Sequence, residues 1–205
     1  QHDALAVFVL AHSMGTLATI MALNRLERVK AVALSGPAIF AGPAASSPFG
    51  LRCLYPLSQT TFASCLTSCT SALDPRGPAA PLDLQAVTSH PDEIDIILHD
   101  PRRNKPVIMN RTARELLCLI REVKAEVPRI TLPLLCIHGA EDTIALPISS
   151  QYIIQYAGTE LAQRKLMIFP GLRHECFHEI PPHDKEAMGC VGDFFDSYLS
   201  DLTQA

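Results

Sequence analysis

The sequence predicts an α/β chain, a mostly parallel sheet flanked by helices and interrupted by a helical insertion. Three observations carry that prediction. Short continuous apolar runs of strand length alternate with stretches whose apolar residues recur every three or four positions. Several of the runs close on a glycine, as in "VKAVALSG", "PLLCIHG" and "KLMIFPG". Between the first two of these, a long proline-rich stretch of different character begins at Pro37.

The elements follow in chain order. Residues 4–10, "ALAVFVL", are apolar throughout, as a strand buried on both faces requires. Met14, Leu17, Ala18, Met21 and Ala22 mark the inner face of a helix, and residues 29–36 supply the next strand, ending on a Gly-Pro turn. Strand, helix, strand is a parallel unit. From Pro37 to about Pro81, prolines recur at 37, 43, 48, 56, 75, 78 and 81. Structureless loops beyond ~15 residues are uncommon in compact domains. Phe49, Leu51, Leu54, Tyr55, Leu57, Phe62 and Leu66 are also too apolar for a solvated linker. The region therefore reads as an insertion packed on the body through short helices. A helix resumes over 110–127, with Asn110 as its cap and Leu116, Leu117, Ile120, Val123 and Val127 on one face. A strand (133–139), a helix from Pro147 to Tyr156 and a strand (165–171) follow. A last helix spans about Asp184 to Leu202, with Met188, Val191, Phe195, Tyr198 and Leu202 inward. The expected division is core over 1–40, cap insertion over 41–128 and core again over 129–205.

Composition narrows the function. With 48% hydrophobic and 19% charged residues, the chain is globular rather than disordered. A net charge of -4 without any basic block argues against a nucleic-acid partner. No apolar run is long enough to span a bilayer. The seven cysteines form no C-x-x-C pair and suit reduced thiols, so a cytoplasmic setting is expected. The Asn110-Arg111-Thr112 sequon would matter only in a secreted protein.

Two patterns carry chemistry. "FVLAHSMGTLA" (8–18) puts Ser13 at the joint of a strand and a helix, with Ala11 and Gly15 as the small residues two before and two after. That is the layout of a nucleophile elbow, in which a strained turn lifts the serine hydroxyl out of the sheet. The Met14 N–H, first in the helix, is then half of an oxyanion hole. Serine needs a base, and the base needs an orienting acid. Asp142 lies three residues past Gly139 and His174 three past Gly171, both just beyond strand ends, where sites gather. Glu141 competes with Asp142 for the acid role. "HECFH" (174–178) also matches H-E-x-x-H, two zinc ligands and a base on one helix. It follows a strand-Gly turn, however, and Pro181-Pro182 would stop a helix soon after. No third ligand is signalled beyond His183. Neither a metal nor a cofactor is expected.

"LAHSMGT", "IHGAEDT" and "GLRHECFHE" together resemble the three signatures of the α/β-hydrolases related to monoacylglycerol lipases and lysophospholipases, with serine aminopeptidases as close relatives. The resemblance covers 5–36 and 97–203 and is weak over the first half of the insertion. It implies a partial α/β-hydrolase fold with a helical cap, with Ser13 as nucleophile, Asp142 as orienting acid and His174 as general base. Glu179 matches a common structural glutamate. Members of that family place about four further strands before the elbow, along with a His-Gly loop that supplies a second oxyanion donor. The chain opens at the nucleophile strand, so it is expected to be part of a longer protein, with that strand as an apolar edge.

The resemblance implies a serine carboxylester hydrolase cleaving monoacylglycerols or lysophospholipids through an acyl-enzyme. Its substrate is a small lipid ester, and its cap provides peripheral membrane contact. Two alternatives stand beside it: an iminopeptidase-type hydrolase using Asp92, Glu93 or Asp95 to hold an amine, and a non-catalytic fragment that only binds lipid. The acidic trio also reads as a solvated turn. Cys176, two residues past His174, is expected to hinder the histidine when modified, and Cys53, Cys65 and Cys69 to be buried and inert.

Overall fold

The computed structural model describes residues 6–42, 68–102 and 107–203. The expectations placed on 43–67, including the packing of Phe49, Leu51, Leu54, Tyr55, Leu57, Phe62 and Leu66 and the state of Cys53 and Cys65, lie outside the described residues.

Four strands form the main sheet: β1 (Val7–His12), β2 (Val29–Ser35), β5 (Leu134–Gly139) and β6 (Arg164–Phe169). They pair in parallel in the order β1-β2-β5-β6. Alternation along β2 and β5 explains why both strands read as unbroken apolar runs. Val32, Leu34, Leu134 and Cys136 enter one core, while Ala31, Ala33, Leu135 and Ile137 enter another on the opposite face. The first core is closed by α1 (Met14–Leu23) through Leu17 and Ile20, by α4 (Asn110–Glu126) through Val123, and by α5 (Ile148–Tyr156) through Ile153. The second is closed by α6 (His183–Thr203) through Ala187, Val191 and Phe194. Each Val, Leu, Ile or Phe side chain among these contributes about 1.5–3 kcal/mol by leaving water.

Between β2 and α4 lie β3 (Pro78–Pro81), α2 (Leu84–Val87), α3 (Pro91–His99) and β4 (Val107–Met109). β3 and β4 form an antiparallel pair that helical expectations for this region did not include. Main-chain bonds from Asn110 N to Gly77 O (2.9 Å) and from Arg111 N to Pro75 O (3.2 Å) extend the tie between the two segments.

Several expectations are corrected. Among the described strands β1 is terminal, as expected of an apolar edge, and Val7 and Leu10 are 38% and 40% exposed, so it is not buried on both faces. On α1 the inner face is Thr16, Leu17, Ile20 and Leu23, while Met14 and Ala18 face outward. Asn110 does not cap α4, because its Nδ2 donates to Asp74 O (2.9 Å) and Met109 holds the cap position. Asp92, Glu93 and Asp95 lie on α3 rather than in a turn. On α6, Met188 is half exposed and Phe194 takes the inward position, with Phe195 and Tyr198 packed partly against it. The side chain of Leu202 lies outside the described residues. Cys69, expected to be buried and inert, is exposed instead.

Candidate active site

Three strands of the sheet deliver one residue each to the same edge, just past their C-terminal ends. Ser13 follows β1 directly. Its φ of 52° is the one positive value at a non-glycine residue among those described, and with ψ at -124° this sparsely populated conformation costs an L-residue about 1–3 kcal/mol. The strain is sustained because Ser13 N donates to Ser35 O (2.9 Å) while Ser13 O accepts from Thr16 N (3.0 Å) and Thr16 Oγ1 (2.6 Å). Met14 is the first residue of α1, where backbone N–H groups have no partner within the helix. Among the described residues, a Cβ at Gly15 would meet no atom within 4 Å beyond its own helix and chain neighbours.

Asp142 ends the tight turn after β5. Gly139 makes that turn possible, since a Cβ there would lie 2.2 Å from Arg173 O and 2.3 Å from Leu172 O. The loops carrying Asp142 and His174 therefore touch backbone to backbone, and Glu141 N donates to Leu172 O (3.0 Å). Asp142 is buried, and its carboxylate accepts four bonds. Oδ1 takes Ile144 N (2.8 Å) and Ala145 N (2.9 Å), and Oδ2 takes His174 Nδ1 (2.7 Å) and His138 Nε2 (3.0 Å). Burial pushes its pKa up, but the bonds from His138 and His174 and their charges outweigh burial, so the carboxyl sits well below its ordinary range. Glu141, the competing acid, is exposed.

An ionised carboxylate only accepts, so His174 carries its proton on Nδ1. Its Nε2 is then free to accept from Ser13 Oγ, 2.8 Å away. Serine, histidine and aspartate are thus bonded in series across 161 residues of sequence. The same logic sets the tautomer of fully buried His138. Its Nε2–H is shared between Asp142 Oδ2 and Ala145 O (2.8 Å), and its Nδ1 accepts from Ser150 Oγ (2.7 Å).

The loop after β6 is tied to the segment around α2. Glu175 N donates to Val87 O (2.9 Å) and Thr88 Oγ1 to His178 O (2.7 Å), while Arg173 Nη1 donates to Gln85 O. Buried Glu179 accepts from Ser89 N (2.9 Å), Ser89 Oγ and Arg173 N (3.0 Å). His174 and His178 lie in turns rather than on one helix; His174 is buried and His178 exposed. Among the described residues, no three His, Cys, Asp or Glu side chains are grouped to hold a metal ion.

Sequence reasoning passed over three groups. His138 stood in plain view in "CIHG", four residues before the acid. His12 and Glu175 flank the nucleophile and the base in sequence. Their side chains meet at 3.1 Å (His12 Nε2 to Glu175 Oε1), off the axis of an aligned hydrogen bond. The setting of Cys176 bears on whether its modification, expected to hinder His174, can occur. Its thiol is buried, pushed up to about 12 by burial and by the charges of Asp142, Glu179 and Glu175, and directed at Arg173 O (3.7 Å). Such a thiol is neither ionised nor reachable near neutral pH.

A groove of about 610 Å³ opens beside Met14, lined by Met109, Leu116 and Leu119 on an apolar side and by Arg76, Arg111 and Glu115 elsewhere.

Residues 1–181 match the family model described as serine aminopeptidase, S33. Human monoglyceride lipase is 27% identical over 180 residues, covering 88% of this chain and 55% of that protein. The monoacylglycerol lipase of Mycolicibacterium smegmatis is 26% identical over 199 residues, covering 97% and 65%. The chain therefore spans between about half and two thirds of these relatives' length. Two solved structures share the fold. The monoacylglycerol lipase of Paleococcus ferrophilus superimposes with a TM-score of 0.76 at 22% identity, covering 94% of this chain and 69% of that one. A soluble variant of the Saccharomyces cerevisiae monoglyceride lipase, in complex with a substrate analogue, gives 0.75 at 18% identity, covering 96% and 63%. The architecture is that of the α/β-hydrolases.

Proposed function

Since the chain belongs to the serine aminopeptidase S33 family, we propose that it is the catalytic part of a serine carboxylester hydrolase acting on single-chain lipid esters, monoacylglycerols or lysophospholipids. The observation that carries the reading is the serial bonding of Ser13, His174 and Asp142 at a strained strand-to-helix turn.

Ser13 attacks the ester carbonyl as its proton passes to His174 Nε2, and the Asp142 carboxylate steadies the resulting imidazolium. The Met14 N–H, at the positive end of α1, receives the developing oxyanion. His174 then protonates the departing alcohol, and the same ring activates the water that hydrolyses the acyl-enzyme. The apolar lining of the groove beside Met14 suits one acyl chain. Residues 41–128 serve as a cap. Leu73 (88% exposed), Ile96 (60%) and Leu98 (59%) offer apolar contacts to a lipid surface, and among the described residues no helix is long and apolar enough to cross a membrane.

The family name raises a second reading, an aminopeptidase. A small cavity of about 160 Å³ is lined by Glu93, Asp100 and Glu175, which could hold an amine. Two of these carboxylates are already engaged, Asp100 by Arg102 and Glu175 by His12, which favours the ester. Fatty-acid release from a monoacylglycerol and a lysophospholipid, beside amine release from an aminoacyl amide, separates the readings. Ester turnover lost in Ser13→Ala supports the proposal. Amide turnover alone, or lipid binding without turnover, overturns it.

A further inference from the structure

We infer that His12 and Glu175 form a second imidazole–carboxylate pair that positions His174 independently of Ser13. The inference rests on the reading of His174 as the base. His12 immediately precedes the proposed nucleophile and Glu175 immediately follows the proposed base, so their contact bridges the two loops beside the Ser13–His174 bond. Both side chains are about three-quarters buried (24% and 25% exposed). The His12 ring lies against the His174 ring, centroids 4.8 Å apart and planes inclined by 55°. Its far nitrogen, Nδ1, is 3.3 Å from buried Ser35 Oγ. Glu175 is fixed in turn by its backbone bond to Val87 O.

A serial triad has a weakness that this pair answers. Once Ser13 Oγ is acylated, it no longer donates to His174 Nε2, and the ring loses one of its two anchors just when it must activate water. Asp142 still holds Nδ1, but one bond leaves the ring free to swing about it. The His12 ring, braced by Glu175, supplies a wall that does not depend on the state of Ser13. Glu175 also adds a negative charge near the imidazolium. The other charged or titratable groups around His174 are Asp142 and His138 from the β5 end and His12 from β1. The Glu179 carboxylate is taken up by Ser89 and Arg173 N, and the Arg173 guanidinium by Gln85 O and Thr88 O. The carboxyl of Glu175 is driven upward by burial and more strongly downward by His12, His174 and His178, to about 2, so the charge persists throughout the range in which the base works.

The test is a titration of the His174 Cε1–H signal by NMR on the full chain, which needs no turnover, beside pre-steady-state hydrolysis of an activated ester. Glu175→Gln should move the midpoint of that signal to lower pH, because a stabilising anion is lost. It should slow deacylation about five- to tenfold with KM little changed, while Glu175→Asp leaves the midpoint in place. His12→Gln should reproduce the slower deacylation and serves if Glu175→Gln fails to fold. A midpoint unmoved in Glu175→Gln, or variants that lose only thermal stability, overturns the inference. Absence of ester turnover in the unaltered chain would instead count against the function proposed above, and the NMR titration would still decide this pair.

Discussion

Replacing Gly36 by alanine probes how tightly the proposed base is seated. Gly36 lies one residue past β2 with φ at +54°, facing the rings of His174 and His12. An alanine Cβ would lie 3.3 Å from both Cε1 and Nδ1 of His174 and 3.4 Å from Cε1 of His12, inside the optimal carbon separation of about 3.5–4.0 Å. The His174 ring would have to yield by a few tenths of an ångström. Yet it is held at 2.7 Å by Asp142 and at 2.8 Å by Ser13, so one of those bonds must lengthen. A displacement of 1 Å in a catalytic group costs about 100-fold, so tenths of an ångström should lower kcat roughly 5- to 10-fold. The positive φ adds a backbone penalty of about 1–2 kcal/mol, a fall in Tm of roughly 2–8 °C for a chain of this size. Steady-state hydrolysis of a short p-nitrophenyl ester, with thermal unfolding followed by circular dichroism, measures both. Full turnover with only a lowered Tm would refute the reasoning, since the ring would then have room to move without consequence.

Other outcomes follow from the same geometry. Asp142→Asn should cut kcat by about 10³- to 10⁴-fold, because the amide no longer selects the Nδ1–H tautomer of His174; esterase assays at equal folded protein check it. Native Cys176 should resist a thiol reagent at pH 8 while exposed Cys69 reacts, and Cys176 should label only after denaturation, as peptide mass mapping would reveal. Asp142 and Glu175 are both held below their ordinary values of 3.8 and 4.5 in the folded state. Their contribution to stability is therefore complete above about pH 4.5; that of Glu175 is lost as pH falls toward 2, and that of Asp142 persists to lower pH. In urea unfolding, Glu175→Gln should be less stable than the unaltered chain by on the order of 1–3 kcal/mol at pH 7, a gap that narrows at pH 3. A gap independent of pH would contradict the assignment.

The α/β class was legible because β2 and β5 are buried on both faces and so spell continuous apolar runs, while strand ends were marked by Gly36 and Gly139. The three residues that meet at the site were legible for a local reason: each stands within five residues of a strand's C-terminal end, and parallel strands bring their ends to one edge. What escaped depends on partners distant in sequence. His138 reads as an ordinary strand residue until Ser150 and Ala145 fold over it. The meeting of His12 with Glu175 needs β1 and the loop after β6 brought together from opposite ends of the chain. Asn110 has the composition of a cap, yet Asp74 O, 36 residues earlier, takes its side chain. The inward turn of Phe194 in place of Met188 was hidden because the periodicity of α6 fits two registers, and only packing against Ala31 and Leu135 selects one.

The central claim is that Ser13 is an activated nucleophile, and covalent labelling tests it most directly. Intact mass after exposure of the purified chain to a fluorophosphonate should show a single adduct that is absent in Ser13→Ala. A folded chain that takes up no label, or an adduct that persists in Ser13→Ala, would contradict it.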